Sequence, residues 1–257
     1  MLDGFQYGLL KTIAPTDRSG LDGSAYSGKS KLRTLLGNEI FEVAKGKVVI
    51  DFGCGTGQES VELAKSGARL VIGMDIQEEM LSQARQRARL AGVQDRCVFS
   101  TTAPEPADVI ISLDSFEHFS DPSGALSEIW GLLKPGGCMH ASFGPTWYHP
   151  LGGHLFSVFP WAHLIFSENA LIRWRKDIRN DGARSFAEVA GGLNQMTIAR
   201  FLDVVRRSEF EVVYMRTVPI RRVSLLHNRF TREFTTSIVQ CKLYRPCENT
   251  SSYFTTV

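Results

Sequence analysis

Three glycines at alternate positions, Gly53, Gly55 and Gly57, stand between two acids, Asp51 just ahead of them and Asp75 further on. An apolar run, Val48-Val49-Ile50, leads into the turn and a helix-like segment from Glu59 to Lys65 follows it. Glycines at such a strand-to-helix turn let a ligand press against bare backbone, where side chains would collide with it. A dinucleotide fingerprint needs G-x-G-x-x-G, and its last glycine would fall at Gln58. Asp51 would also repel a phosphate, whereas it can accept from a ligand ammonium group directly or through water. Asp75, at the end of the next apolar run, is placed to accept the hydroxyls of a ribose. Together the two acids and the bare turn outline a nucleoside amino acid.

Other chemistry-bearing residues lie further along. His118 follows the apolar run Val109 to Leu113, and an imidazole is a suitable proton acceptor near neutrality. It is the leading base candidate, the alternative being that Glu117 and His118 only order their loop. His149, His154 and His163 fall in an aromatic stretch, with His154 read as a polar group on the substrate side. Their spacing matches no zinc pattern and no acid lies between them, so no metal is expected. The five cysteines are scattered and odd in number, which excludes a disulfide framework and a zinc knuckle and points to a reducing cytoplasm. Residues 23–30 spell G-x-x-x-x-G-K-S, but Pro15 to Gly20 cannot be the buried strand that a phosphate-cradling loop requires. Within that run, Tyr26 or Lys29 can meet a ligand carboxylate if the arm folds over it.

The elements that must hold these residues alternate. Leu70 to Ile72 reads as a second strand ending at Asp75, Glu78 to Leu90 as a helix stopped by Gly92, Cys97 to Ser100 as a weak third strand and Val109 to Leu113 as a strong fourth. Asp121-Pro122 starts a helix with an N-cap and a proline at its first position, and that helix stops at Lys134-Pro135-Gly136-Gly137. Met139 to Phe143 reads as a fifth strand, Gln195 to Arg207 as an amphipathic helix, and Phe210 to Val218 and Thr235 to Leu243 as a closing strand pair. This is the order of an α/β fold with a parallel sheet covered on both faces. Ahead of it, residues 1 to about 30 read as an extended arm or cap, followed by a short amphipathic helix near Lys31 to Val43.

The D-x-G-x-G-x-G turn with its later acid, the strand Asp108 to Leu113 running into Asp114-Ser115-Phe116-Glu117-His118, and Leu132-Leu133-Lys134-Pro135-Gly136-Gly137 together resemble the class I S-adenosylmethionine-dependent methyltransferases. More narrowly they resemble the branch that includes ubiquinone and menaquinone biosynthesis methyltransferases. The resemblance covers about residues 45–144, with weaker agreement over 194–246. It implies a doubly wound, mostly parallel seven-stranded sheet with an antiparallel edge strand, and S-adenosyl-L-methionine as cofactor. By the same resemblance Asp51, Gly53, Gly55 and Gly57 cradle the methionine part, Asp75 the ribose and Ile76 one face of the adenine, while Leu113 and Asp114 lie beside the methionyl end. Family members commonly place an acid after the third strand for the adenine amino group; Ser100 to Pro104 offers only hydroxyls here, so Thr101 or Thr102 takes that place.

The division that follows is an arm and cap helix over 1–45 and a methyltransferase domain over 46–257 with an insert over 145–194. Eight aromatics fall between Phe143 and Trp174, including three of the four tryptophans. Such an insert after the fifth strand reads as a lid over a small apolar or aromatic acceptor, with Trp147 or Tyr148 facing the sulfonium. Its competitor is peripheral membrane contact through Leu155, Phe156, Phe159, Trp161, Leu164 and Phe166. A net charge of +2 and arginines without an aromatic-interleaved stripe argue against nucleic acid as partner. Two other functions compete with methyl transfer: a cofactor-binding module without turnover, and a nicotinamide-dependent oxidoreductase.

Overall fold

Val48–Phe52 (β1) is buried along its whole length, as a strand covered on both faces must be. In the computed structural model, which describes residues 2–14, 28–179, 182–189 and 191–247, it is joined by Leu70–Met74 (β2), Cys97–Ser100 (β3), Ala107–Leu113 (β4), Leu133–Phe143 (β5), Glu211–Pro219 (β6) and Thr236–Tyr244 (β7). The sheet order is β3-β2-β1-β4-β5-β7-β6. The first five strands run parallel. β7 pairs antiparallel with both β5 and β6, so the reversed strand lies one place in from the edge that β6 forms.

The helices between strands are Gln58–Lys65 (α4), Glu78–Leu90 (α5), Pro122–Leu132 (α6) and Ile198–Arg206 (α9). They follow the punctuation in the sequence. Gly92 ends α5 with a positive φ of 70°, and the Asp121 side chain caps α6 by accepting from the Ser123 and Gly124 amides. The strand after α6 begins earlier than the Pro-Gly-Gly run suggested, because Lys134 to Gly137 continue β5. Two apolar cores result, one on each face of the sheet: the first joins Leu32, Leu35 and Phe41 to Val61, Leu81 and Phe99, the second joins Phe116, Leu126 and Ile129 to Phe143 and Phe201.

Two departures from the sequence reading lie ahead of the sheet. The helix expected near Lys31 to Val43 is two short ones, Lys31–Leu36 (α2) and Glu39–Ala44 (α3), broken at Gly37 with its φ of 81°. Residues 2–13 form a helix, α1 (Leu2–Ile13), where an extended arm was expected. Its Leu10 is fully buried with Phe156, Phe166, Leu171 and Trp174 in a third core. Phe156, Phe166 and Trp174 come from the stretch that also holds Ala162–Ile165 (α7) and Glu168–Lys176 (α8). Ser167 donates to Asp3 at 2.7 Å and Tyr7 to Asp177 at 2.8 Å, tying α1 to the flanks of α8. The partner that orders the amino-terminal helix is thus more than 150 residues away, which local periodicity cannot reveal. Residues 15–27, with most of the G-x-x-x-x-G-K-S run and Tyr26, lie outside the described residues. No described helix is long and apolar enough to cross a membrane. A short Arg232–Thr235 helix (α10) leads into β7.

The turn after β1 shows which glycines the fold itself requires. A Cβ on Gly57 would lie 2.7 Å from the Ala84 Cβ and 2.8 Å from the Phe99 ring, and its φ is 71°. Gly57→Ala should therefore lower unfolding free energy in urea by roughly 2–4 kcal/mol, combining a left-handed backbone penalty with overpacking. A loss under about 1 kcal/mol would show that α5 and β3 yield easily at this contact.

Candidate functional site

The sheet order reverses beside β1, whose neighbours β2 and β4 lie on opposite sides. Loops leaving the carboxyl ends of β1 and β4 diverge there and leave a crevice, the usual ligand position in open α/β sheets. A cavity of about 950 Å³ occupies it, lined by Asp51, Gly53, Gly55, Leu113 and Asp114 among others. Gly28, Lys29, Ser30 and Lys31 close its other side.

The β1–α4 turn is fixed by backbone. The Gly53 and Cys54 amides both donate to the Met74 carbonyl at 2.9 Å, and the Gly57 amide donates to the Cys54 carbonyl. The Arg87 Nε donates to the Thr56 carbonyl at 2.9 Å and braces the turn from α5. All three glycines have positive φ, but for different reasons. A Cβ at Gly53 would strike the Ser115 hydroxyl at 2.6 Å, so Gly53 and Gly57 let β4, α5 and β3 close in. A Cβ at Gly55 would meet nothing within 4 Å. Gly55 is the glycine whose missing side chain leaves open space.

The acids divide in the same way. Asp75 accepts from the Gly55 amide through Oδ2 and from the Gln77 amide through Oδ1, both at 2.9 Å. It shapes the rim and does not line the cavity, and neither does Ile76, which is exposed beside it, nor Thr101, exposed beyond β3. Asp51 is buried and accepts from the Ser60 hydroxyl at 2.6 Å. Burial, with the Glu59 charge adding to it, pushes its pKa up to about 7 against the opposing pull of Ser60 and Lys31. Asp114, at a left-handed φ of 52°, pairs with Lys31 at 3.1 Å while its buried Oδ1 has no hydrogen-bond partner. Burial raises its pKa as well, and Lys31 opposes the shift.

His118 and His154 meet, their ring centroids 5.3 Å apart and nearly perpendicular. His118 Nδ1 lies 2.8 Å from the Gly192 carbonyl, which can only accept. Nδ1 therefore carries the proton and Nε2 carries the lone pair. His154 Nε2 is buried without a partner, and burial, together with the His118 charge, pulls its pKa down to about 4. Glu117, read from sequence only as a loop residue, is 2% exposed and has its Oε2 unpartnered. Its apolar setting and the nearby Asp114 charge push its pKa up to about 8. The other two insert histidines are absorbed locally: His149 Nδ1 accepts from the Leu151 amide, and His163 sits between the Ser157 hydroxyl and the Trp147 carbonyl. Trp147 packs on His163 and Phe186, and Tyr148 on Phe234, so neither ring lines the cavity.

From the segment at the start of α2, sequence reasoning named Lys29 as a ligand contact if the arm folds over the site, and missed Ser30 and Lys31. Lys29, Ser30 and Lys31 face the turn, and Glu59 and Glu62 of α4 line the same cavity. The signal was present in the phosphate-loop look-alike, whose lysine and serine close this cavity from the far side.

A family profile described as a methyltransferase domain matches residues 50–141. A ubiquinone biosynthesis O-methyltransferase of Aliivibrio fischeri is 35% identical over 130 residues, 47% of this chain and 54% of that protein. A tRNA 5-carboxymethoxyuridine methyltransferase of Escherichia coli is 30% identical over 103 residues, 37% of this chain and 39% of that protein. Residues 50–141 of the chain are thus similar to a methyltransferase domain. The chain spans only about half, or less, of the length of these relatives. An S-adenosylmethionine-dependent methyltransferase structure from Mesorhizobium loti superimposes with a TM-score of 0.55 at 19% identity, covering 88% of this chain and 100% of that one, and supports the fold.

The crevice fits S-adenosylmethionine on its own geometry. The open space at Gly55 takes a ligand against bare backbone, and the cavity has the size of ordinary small-ligand sites. Among the described residues its charged lining is four acids, Asp51, Glu59, Glu62 and Asp114, against Lys29 and Lys31. That surplus of negative charge favours a sulfonium and an ammonium and disfavours a pyrophosphate.

Two expectations follow. Gly55→Val should cost roughly 1–2 kcal/mol of stability for its left-handed backbone, yet weaken S-adenosylmethionine binding at least about tenfold, a change of about 1.4 kcal/mol; calorimetric affinity unchanged by the valine would place the ligand away from the turn. Asp51 is the second. Its folded pKa lies above its unfolded value, so the folded state holds the extra proton and unfolding free energy falls as pH rises from about 4 to about 7. Binding of a cationic ammonium favours the carboxylate, so affinity should climb as pH rises through about 7 and level off above it. Asp51→Asn should flatten that slope.

Proposed function

We propose that this chain transfers the methyl group of S-adenosylmethionine to a small apolar or aromatic acceptor held between the carboxyl edge of the sheet and the 145–194 insert. The observation that carries this reading is the meeting of His118, from the β4–α6 connection, with His154, from the insert. His118 lies near enough to Asp114 to act on its charge, and Asp114 lines the cavity while the two imidazoles stand outside its lining. The division into an arm over 1–45, a domain over 46–257 and this insert belongs to the same reading.

Bound S-adenosylmethionine supplies a methyl carbon already activated by its sulfonium, so the protein's share is alignment, exclusion of water and management of one proton. In this reading Asp51 takes the ammonium group, and Gly53, Gly55 and Gly57 leave room for the methionine part. Asp75 takes the ribose from the rim, Ile76 covers one face of the adenine and Thr101 serves its amino group. Leu113 and Asp114 flank the methionyl end. An acceptor hydroxyl must lose its proton before or during transfer, and His118 with His154 are the groups assigned to activate it. Trp161, Leu164 and Ile165 are exposed on the insert, which supports brief contact with a membrane surface as the route for an apolar acceptor. The free state of all five cysteines fits a reducing, cytoplasmic setting.

The named tRNA relative makes nucleic acid a required arm of the test. Tritiated methyl from S-adenosylmethionine should appear in the organic-soluble small-molecule fraction of an extract, and label confined to RNA or protein would overturn the acceptor class. Calorimetry should show S-adenosylmethionine and S-adenosylhomocysteine binding and no NAD binding; sulfur-nucleoside binding without transfer to any fraction would identify a cofactor-binding module instead. With an acceptor in hand, His118→Ala should lower kcat by roughly 10²–10⁴-fold while leaving KM for S-adenosylmethionine within about threefold, and an unchanged kcat would remove His118 from the reaction.

A further inference from the structure

Glu117, His118 and His154 each offer one ligand-type atom, and these atoms lie within 4.8 Å of one another. The three come from two segments distant in sequence, the β4–α6 connection and a turn of the insert. We propose that they form a binding site for one divalent transition-metal cation, which staples the insert to the sheet edge and leaves a coordination position for the acceptor's oxygen. The last clause rests on the methyl-transfer reading, and with the ion bound it replaces proton abstraction by the imidazoles with activation of the acceptor oxygen at the metal; the binding and stapling do not rest on it.

Each group is unsatisfied in the way a ligand would be. Glu117 Oε1 accepts a long 3.3 Å bond from the Gly144 amide, and Oε2 has no partner although the residue is buried. His154 Nε2 is buried and unpartnered. His118 donates through Nδ1 to the Gly192 carbonyl at 2.8 Å, which leaves Nε2 as a fixed lone pair. A carbonyl orienting the far nitrogen of a histidine is the usual outer support of a metal-bound imidazole. Buried polar atoms are ordinarily paired, and two orphans beside a fixed lone pair are an exception that a cation would resolve together.

The surroundings are braced. The Asn194 amide donates to the Glu117 carbonyl at 3.0 Å, and its side chain donates to the Phe116 and Phe119 carbonyls, tying the β4–α6 connection from a third segment. His154 holds a left-handed φ of 51°, and its amide donates to the Leu151 carbonyl at 2.9 Å. Metal bonds of about 2.0–2.2 Å call for ligand separations of about 3.0–3.5 Å, so the side chains need draw inward by about an ångström at most. Two imidazoles and one carboxylate suit Zn²⁺, Co²⁺ or Fe²⁺; Mg²⁺ and Ca²⁺ prefer oxygen and are not expected to compete. Three protein ligands leave at least one position open. The insert's other histidines cannot substitute, since both are held by local hydrogen bonds.

The test uses the full chain without S-adenosylmethionine, so its outcome is separate from that of methyl transfer. Metal-stripped protein titrated with Zn²⁺ against a competing fluorescent chelator should bind one ion per chain, and Co²⁺ should develop the intense visible bands of a low-coordinate site with nitrogen ligands. Mg²⁺ at the same concentrations should leave both signals unchanged. His154→Gln, checked for folding by circular dichroism, should weaken Zn²⁺ binding roughly 100-fold and abolish the Co²⁺ bands, as should Glu117→Gln; His149→Gln should behave as the parent. Zn²⁺ should also slow proteolysis of the insert in the parent and not in His154→Gln. Absence of stoichiometric binding, or binding equally tight in His154→Gln, would overturn the site. The second result would assign the ion to the thiols.

Discussion

The crevice between the ends of β1 and β4 is the constraint from which the rest of this molecule follows. A parallel sheet winds outward in both directions from β1, and the two halves carry their connections to opposite faces. No connection can then cover the carboxyl ends where winding reverses, and polar residues there are not required for the core. Asp51 is the penultimate residue of β1, Asp114 follows β4, and the turn between β1 and α4 is tied down by the Met74 carbonyl of the neighbouring strand. The site is held by backbone hydrogen bonds of the sheet itself, which makes it as rigid as the core.

Within that frame, similar glycines do different work. Gly53 and Gly57 stand where side chains would strike Ser115, Ala84 and Phe99, so they are structural; Gly55 faces open space and is the one a ligand can exploit. The same separation runs through the acids. Asp75 spends both oxygens on the turn's and the following helix's amides, and Asp51 stays at the cavity wall with a single hydroxyl partner. A motif read as one unit is thus two superimposed devices, one that closes the fold and one that leaves a space.

The alternation of strands and helices was legible because each boundary carries a chemical stop. Asp121 with Pro122 leaves little freedom about where α6 begins, and Gly67 and Gly92 about where α4 and α5 end; the buried runs at Val48, Leu70 and Val109 have the length of strands. The strand order was not legible, since pairing partners are set by crossover handedness and packing beyond any local window. The same holds for α1, whose Leu10 is buried only because the insert supplies Phe156, Phe166 and Trp174. At the site, His118 and His154 were separately visible as imidazoles in unusual company, but nothing in their spacing shows that they touch. Glu117 was hidden by its neighbours: an acid beside a histidine after a strand looks solvated, and only the packing of Phe116 and Phe143 and the closeness of the Gly144 amide show it buried.

Asp51, Asp114 and Glu117 share one predicament that the fold does not relieve. Each is withdrawn from water, each has its pKa raised chiefly by that withdrawal, and Asp114 and Glu117 each keep a buried oxygen without a hydrogen-bond partner. Burying carboxylates costs stability unless positive charge or donors meet them, and here Ser60 on Asp51, Lys31 on Asp114 and the long Gly144 contact on Glu117 meet them only in part. A chain selected only for stability would replace such groups with apolar ones of similar shape. Asp51 and Asp114 line the crevice and Glu117 lies near Asp114, an arrangement that fits the proposed roles: the ammonium and sulfonium of the cofactor toward Asp51 and Asp114, and a metal cation toward Glu117. On this view the same electrostatics disfavours a pyrophosphate in the crevice, lets Gly55 open onto it without a phosphate-binding pattern, and accounts for the insert bringing an imidazole, His154, to Glu117.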